Sequence, residues 1–216
     1  LEEKLELLLN CSRVMSAVEG IRISTASMDF FREEKMYMDT EGSVISQLVI
    51  HSGAGISATS LNGGEVQTRS YPSSFRGDHR AGGYEIVRTM NLAENAERIA
   101  REAAQLHQAA SLDDEKMDVI LGGSQLALQV HESCGHAVEL DRVLGYEANF
   151  AGTSFLTLDK WKNFRYGSDK VHLVQDGTTP GGLGTAQYDD EGVPSSCTDL
   201  VKDGVFVGYL KGRDSA

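Results

Sequence analysis

Apolar and polar residues alternate along the chain with two different periods. In residues 1–19, Leu1, Leu5, Leu8, Leu9 and Met15 recur at helical spacing, with Glu2, Glu3, Lys4 and Glu6 between them. This pattern predicts an amphipathic helix that stops at Gly20. Between residues 21 and 75 the period shortens to two, in Ile21–Ser24, Lys35–Met38, Val44–Ile50 and Glu65–Tyr71. Turn residues separate these runs: Glu41-Gly42, Gly53-Ala54-Gly55 and Asn62-Gly63-Gly64, with Asn62-Gly63 as a hairpin signal. An antiparallel meander with helices packed on one face is expected. Asn91 to Ala110, rich in Ala, Glu and Arg, predicts a second helix, and the polar stretch Ser111–Lys116 a linker.

Past the linker, Met117–Leu121 reads as a short strand, and Ser124 as a cap for a helix from about Gln125 to Leu140. Leu126, Val130, Cys134 and Val138 mark one apolar face of that helix. Asp176 to Gly184 is a Gly-rich loop, and Lys202-Asp203-Gly204-Val205 a hairpin turn. The expected class is α+β. An N-terminal domain, 1–112, has an antiparallel sheet with packed helices. The start of a second, mixed α/β domain, 113–216, carries the helix just described.

Composition narrows the functions. Of 216 residues, 40% are hydrophobic and 24% charged, enough apolar surface for a core. Mean hydropathy is -0.27. No apolar run is long enough for a membrane span, and no basic-then-apolar start marks a signal peptide. The net charge of -12 repels phosphate backbones, so direct nucleic-acid binding is not expected. Three widely spaced cysteines, Cys11, Cys134 and Cys197, do not form a disulfide framework and fit a reducing, cytoplasmic setting. With Leu1 in place of a methionine and no evident end to the last element, the chain reads as part of a longer protein.

The stretch with chemistry in it is His131-Glu132-Ser133-Cys134-Gly135-His136. Zinc takes nitrogen or sulfur donors from about three protein groups and keeps one position for water, whose pKa it lowers to about 7. A glutamate beside the first ligand can take that water's proton and pass it to a leaving amine. Two histidines at i and i+5 stand about 140° apart on a regular helix, against about 40° for the common i, i+4 pair. A single π-type turn near residues 133–136 would bring them together, and Gly135 offers little side-chain clash to such a distortion. The alternative is a polar helix face whose histidines bond to backbone or water. Asp189-Asp190-Glu191 reads either as a cation site or as an exposed acidic turn, and Gly181–Gly184 as a plain loop or a flap, with no Lys-Ser/Thr to make it a phosphate loop.

The run from His131 to Thr153 resembles the TldD subgroup of the TldD/PmbA metallopeptidase family. So do Tyr188–Pro194, the Val201-x-x-Gly204-x-x-x-Gly208-Tyr209 hairpin and the Val66–Ser70 strand. That resemblance implies an intracellular zinc peptidase acting on short or unfolded peptides, as a homodimer or as a heterodimer with a TldE/PmbA-type subunit lacking the motif. It implies zinc ligands at His131 and His136 and a general base at Glu132. The family's third ligand, a C-terminal cysteine, has no counterpart in this chain. Cys134 falls on the apolar helix face, and neither Cys197 nor Cys11 is expected to replace that ligand. The competing function is a non-catalytic partner or regulatory module of the same fold, acting through protein–protein contacts.

Overall fold

A computed structural model describes residues 1–215. The fold is α+β, and the chain divides into two compact units, Leu1–Glu33 with Val49–Ser124, and Glu34–Leu48 with the chain from Gln125 onward.

The first unit begins with α1 (Glu2–Ser16) and continues into two long strands, β1 (Ile21–Met38) and β2 (Val44–Asn62). The four short strands read from the alternation therefore become two long ones and β3 (Glu65–Tyr71). β2 is central. It is flanked on one side by β1 and on the other by β3, paired through residues 56–62, and by β4 (Asp78–Ala81), paired through residues 51–54. The far end of the β1–β2 hairpin, 34–48, belongs to the second unit. Asn62 pairs with Glu65 across Gly63 and Gly64, both at positive φ, so the expected hairpin is present.

Gly53-Ala54-Gly55 is not the turn its composition suggested; it lies within β2. Its glycines serve close approach. A Cβ on Gly53 would sit 2.1 Å from the His79 ring, and one on Gly55 1.9 Å from the Arg76 carbonyl oxygen. The His79 ring, opposite Gly53 in the ladder, and the backbone of residues 76–77 can lie this close to the strand only where side chains are missing.

Two helices cover the sheet. After α2 (Tyr84–Thr89), α3 (Leu92–Gln105) buries Leu92, Ala96, Ile99, Ala100 and Ala103, and its small residues allow close packing on Cys11 and Met15 of α1 and on Ala54, Ile56 and Ala58 of β2. The second helix is thus shorter than the expected 91–110, followed by one 3₁₀ turn at Leu106–Gln108. The α1 face also differs from its predicted one. Leu5 and Leu9 are exposed, and the buried stripe runs through Leu7, Cys11 and Met15, the side that meets α3.

Met117–Leu121 forms no strand. Ile120 is fully exposed, and among the described residues no strand pairs with this segment, so its backbone has no ladder to join.

In the second unit, β5 (Leu173–Asp176), β6 (Cys197–Lys202) and β7 (Val205–Phe206) form an antiparallel sheet. The turn expected at 202–205 closes its β6–β7 hairpin, with Asp203 and Gly204 at positive φ. Leu200, Val201 and Phe206 pack against Cys134, Ala137, Val138 and Leu156 to make the core beneath the motif. The hairpin tip in this unit is held by Gln47, whose amide both donates to the Tyr188 carbonyl at 3.0 Å and accepts from the Tyr188 N–H at 3.1 Å. Among the described residues no helix is long and apolar enough to cross a membrane.

Candidate metal centre

The helix expected over 125–140 is built from three pieces. α4 (Gly123–Val130) is regular, His131–Gly135 is a π turn, and His136–Val138 is a 3₁₀ turn. Ser124 lies inside α4 and not at its cap; its hydroxyl meets that of Ser74 at 3.1 Å. The π turn comes where the i, i+5 spacing required it. The N–H of His136 donates to the carbonyl of His131, five residues back, which stacks the two side chains on one side. Gly135 has ordinary helical angles, φ -50 and ψ -59. A Cβ there would meet His131 Nδ1 at 3.9 Å, ordinary contact, so the turn does not depend on glycine's conformational freedom.

Closure then drops from five residues to three, with the Glu139 N–H donating to His136 O. Such a change of register passes over carbonyls between the two bonds, and they need other donors. The Tyr166 hydroxyl donates to one of them, the Ser133 carbonyl, at 2.7 Å, and just past the register change the Ser154 hydroxyl donates to the Ala137 carbonyl at 2.5 Å. Beneath the turn, Cys134 and Val138 are buried in the core. They pull one face inward while His131, Glu132 and His136 stay on the other. Leu126, predicted to extend the apolar face, is about half exposed.

The three motif residues come together. The His131 and His136 rings lie edge to face with centroids 4.4 Å apart. One donor atom from each of His131, Glu132 and His136 falls within 4.8 Å of the others. Two nitrogens on a tetrahedral zinc stand ~3.3 Å apart. His131 and Glu132 expose 59% and 62% of their side chains, so rotation of those side chains can close the difference. Two imidazoles and a carboxylate are donors of the kind zinc takes, and the cluster suits a metal ion.

The two rings are held differently. Among the described residues the His131 ring has no hydrogen bond, only Glu132 at 3.9 Å and the His136 ring. His136 Nδ1 lies 2.9 Å from Glu139 Oε1, and Glu139 Oε2 accepts from Arg142 Nε at 2.8 Å. Burial pushes the Glu139 carboxyl up, but the Arg142 and His136 bonds outweigh it, so its pKa lies below the usual carboxylate value. Neither Glu139 nor Arg142 stood out in the sequence; the available signal was a carboxylate three residues after the second histidine, and a guanidinium three after that. Tyr166 gave no signal at all. A cleft of about 700 Å³ opens beside Glu132, His136 and Arg142, with Phe155 and Phe164 forming an aromatic wall.

No cysteine completes the donor set among the described residues. Cys134 and Cys11 are buried, and burial raises both thiols above their ordinary pKa, which disfavours the thiolate a metal needs. Cys197 begins β6 and is exposed. The acidic run has structural contacts: Asp189 Oδ1 accepts the N–H groups of Glu191 and Val193, Asp190 pairs with Lys35 at 3.0 Å, and Glu191 accepts from the Arg213 N–H.

Residues 1–110 match the model of the PmbA/TldA metallopeptidase central domain, and residues 114–216 that of the PmbA/TldA metallopeptidase C-terminal domain. A "Metalloprotease" of Archaeoglobus fulgidus is 29% identical over 217 residues, covering 100% of this chain and 46% of that protein. A "Metalloprotease TldD homolog" of Haemophilus influenzae is 28% identical over 228 residues, covering 100% of this chain and 43% of that protein. The chain thus spans less than half the length of these relatives. Among solved structures, a Thermotoga maritima protein described as a candidate modulator of a DNA gyrase superposes with TM-score 0.78 at 18% identity, over 100% of this chain and 46% of that one. TldE from Thermococcus kodakarensis gives 0.55 at 17% identity, over 95% and 44%. At such identities these two structures speak for the fold alone.

Proposed function

The chain belongs to the PmbA/TldA metallopeptidase family, and on that premise we propose that it carries the zinc-binding helix of a peptidase acting on short or unfolded peptides. The observation that supports this most directly is the convergence of His131, Glu132 and His136 within 4.8 Å. In this reading His131 and His136 are zinc ligands, and a further ligand comes from protein outside the chain. Zinc bound there would supply Lewis acidity toward a water and the scissile carbonyl. A Glu132 carboxylate oxygen would take the proton of the attacking water and deliver it to the leaving amine. Glu132 is exposed and borders the cleft, so it can reach a substrate. The aromatic wall of Phe155 and Phe164 would receive an apolar side chain next to the scissile bond.

The same reading includes a domain boundary near residue 112, supported by family matches that end at 110 and resume at 114. It includes a dimer, either of two such subunits or with a TldE/PmbA-type partner, as the family resemblance implies.

The test is metal content and turnover of the full-length protein, which includes the ligand outside this chain. About one zinc per subunit is expected, with loss of peptide hydrolysis on chelation. Glu132→Gln is expected to keep zinc and lower kcat by roughly 10²–10⁴-fold. A Glu132→Gln protein that cleaves peptides at the unaltered rate rejects the assignment. Absence of zinc after reconstitution favours the second reading, a non-catalytic module working through protein contacts. That reading draws support from the gyrase-modulator description of a structural relative, and a net charge of -12 makes direct contact with DNA unfavourable for it.

A further inference from the structure

We propose that Glu139 is a positioning residue of the metal centre, fixing the tautomer and the direction of the His136 ring, with Arg142 as its clamp. The metal half of this inference rests on the function proposed above; the tautomer half stands on geometry alone. A neutral imidazole carries one N–H, and the hydrogen bond made by one ring nitrogen decides which nitrogen keeps its lone pair. Glu139 Oε1 lies 2.9 Å from Nδ1 of His136, and an ionised carboxylate can only accept. Nδ1 therefore carries the proton, and Nε2 keeps the lone pair a metal uses. Arg142 Nη2 also lies 3.3 Å from Nδ1. A donor and an acceptor cannot both be satisfied by one ring nitrogen, and the closer carboxylate takes it.

Glu139 has little freedom to move away. Its Oε2 accepts from Arg142 Nε at 2.8 Å. Arg142 donates through Nη1 to the Ala151 carbonyl at 2.7 Å, pairs with Glu147 at 3.2 Å, and exposes only 13% of its side chain. The backbone on either side of Glu139 is stitched to Leu210: the Leu140 N–H donates to its carbonyl, and its N–H donates to the Val138 carbonyl, each at 2.9 Å. Such a chain of contacts sets His136 before any ion arrives, whereas His131 has no comparable support. His136 would then be the fixed ligand and His131 the one that closes on the ion. An outer carboxylate of this kind also raises the basicity of the ligating nitrogen, and losing one typically weakens metal binding 10–100-fold.

The experiment measures zinc affinity of the full-length protein, which includes the ligand outside this chain, by competition with a chromophoric chelator, for wild type, Glu139→Ala and Glu139→Gln, with circular dichroism as the check of folding. Expected are a roughly 10–100-fold weaker zinc affinity for Glu139→Ala and a smaller loss for Glu139→Gln, whose amide oxygen still accepts a hydrogen bond. Folded Glu139→Ala with wild-type zinc affinity overturns the proposal while leaving the peptidase reading intact. Wild type that binds no zinc overturns the metal half together with that reading. Should Glu139→Ala fail to fold, ¹⁵N NMR of the His136 ring in metal-free wild type decides. An Nδ1–H tautomer supports the proposal, and an Nε2–H tautomer overturns it.

Discussion

Replacing Tyr166 by phenylalanine removes one oxygen and tests whether the π turn is held from outside. The Ser133 carbonyl accepts from the Tyr166 hydroxyl at 2.7 Å, and Tyr166→Phe would leave that carbonyl to water or to a helical N–H. Burial is the main influence on the phenol, with Cys134 adding to it, and both raise its pKa above 10.0, so it remains a donor throughout the neutral range. A neutral hydrogen bond of this kind contributes about 0.5–1.5 kcal/mol net. For a chain of this size a loss of that order lowers Tm by roughly 1–6 °C. The site carries a further consequence. A regular helix would set residues 131 and 136 about 140° apart, too far for one ion. If the whole of the lost energy falls on the equilibrium between π and regular turn, zinc affinity drops by at most about 2–12-fold, since 1.4 kcal/mol is a factor of ten. Thermal unfolding and chelator competition on the same preparation read both quantities. A Tyr166→Phe protein with lowered Tm and unchanged zinc affinity would refute the argument that this hydroxyl supports the turn, because the destabilisation would then lie elsewhere.

Two predictions concern the first unit. Gly55→Ala places a methyl against the Arg76 carbonyl oxygen and the Gly77 Cα, both backbone, so a loss of about 1–3 kcal/mol or more is expected in denaturant unfolding, and an unchanged midpoint would contradict the close-approach account of β2. Hydrogen bonds from Arg98 and then Arg69 hold the Glu102 carboxyl below its usual range. A depressed carboxylate stabilises above its unfolded pKa of about 4.3 and loses that contribution as pH falls through the folded value. The Arg–Glu pairs are partly exposed, so Glu102→Gln should cost only about 0.5–1 kcal/mol at pH 7. The gap between the two proteins should narrow as pH falls below the unfolded value and through the lowered folded one; a gap that does not change on acidification would show that charge is not its source.

How much of this was legible in the sequence follows from how local each feature is. The hairpin turns at 62–65 and 202–205 were readable because glycine and its neighbours set φ within four residues. The π turn was readable too, since two ligands at i, i+5 can share an ion only if the helix widens there. Gly53-Ala54-Gly55 misled because a glycine wanted for a close crossing looks the same in sequence as one wanted for a turn. The partner that explains it, segment 76–79, lies more than twenty residues away. Met117–Leu121 misled for the converse reason. Its short apolar run is adequate for a strand, but a strand exists only when another supplies its hydrogen bonds, and no described residue does.

The candidate metal centre divides along the same line. His131, Glu132 and His136 announced themselves because their chemistry and spacing lie within six residues. Glu139 and Arg142 were within reach of the same local reasoning, at i+3 and i+6 from the second histidine, yet charged residues at such spacing are common on any helix. Only the break in the helix after Val138 gives them meaning. Glu139 leaves helical geometry, with φ -67 and ψ 115, and this turns its carboxylate back toward Nδ1 of His136 in place of solvent. That break is imposed by Leu210, seventy residues downstream, whose backbone bonds to Val138 and Leu140. Tyr166 and Ser154 cap carbonyls freed by the same irregular stretch. The motif therefore supplies the donors, and the distant residues supply the geometry in which the donors can act together.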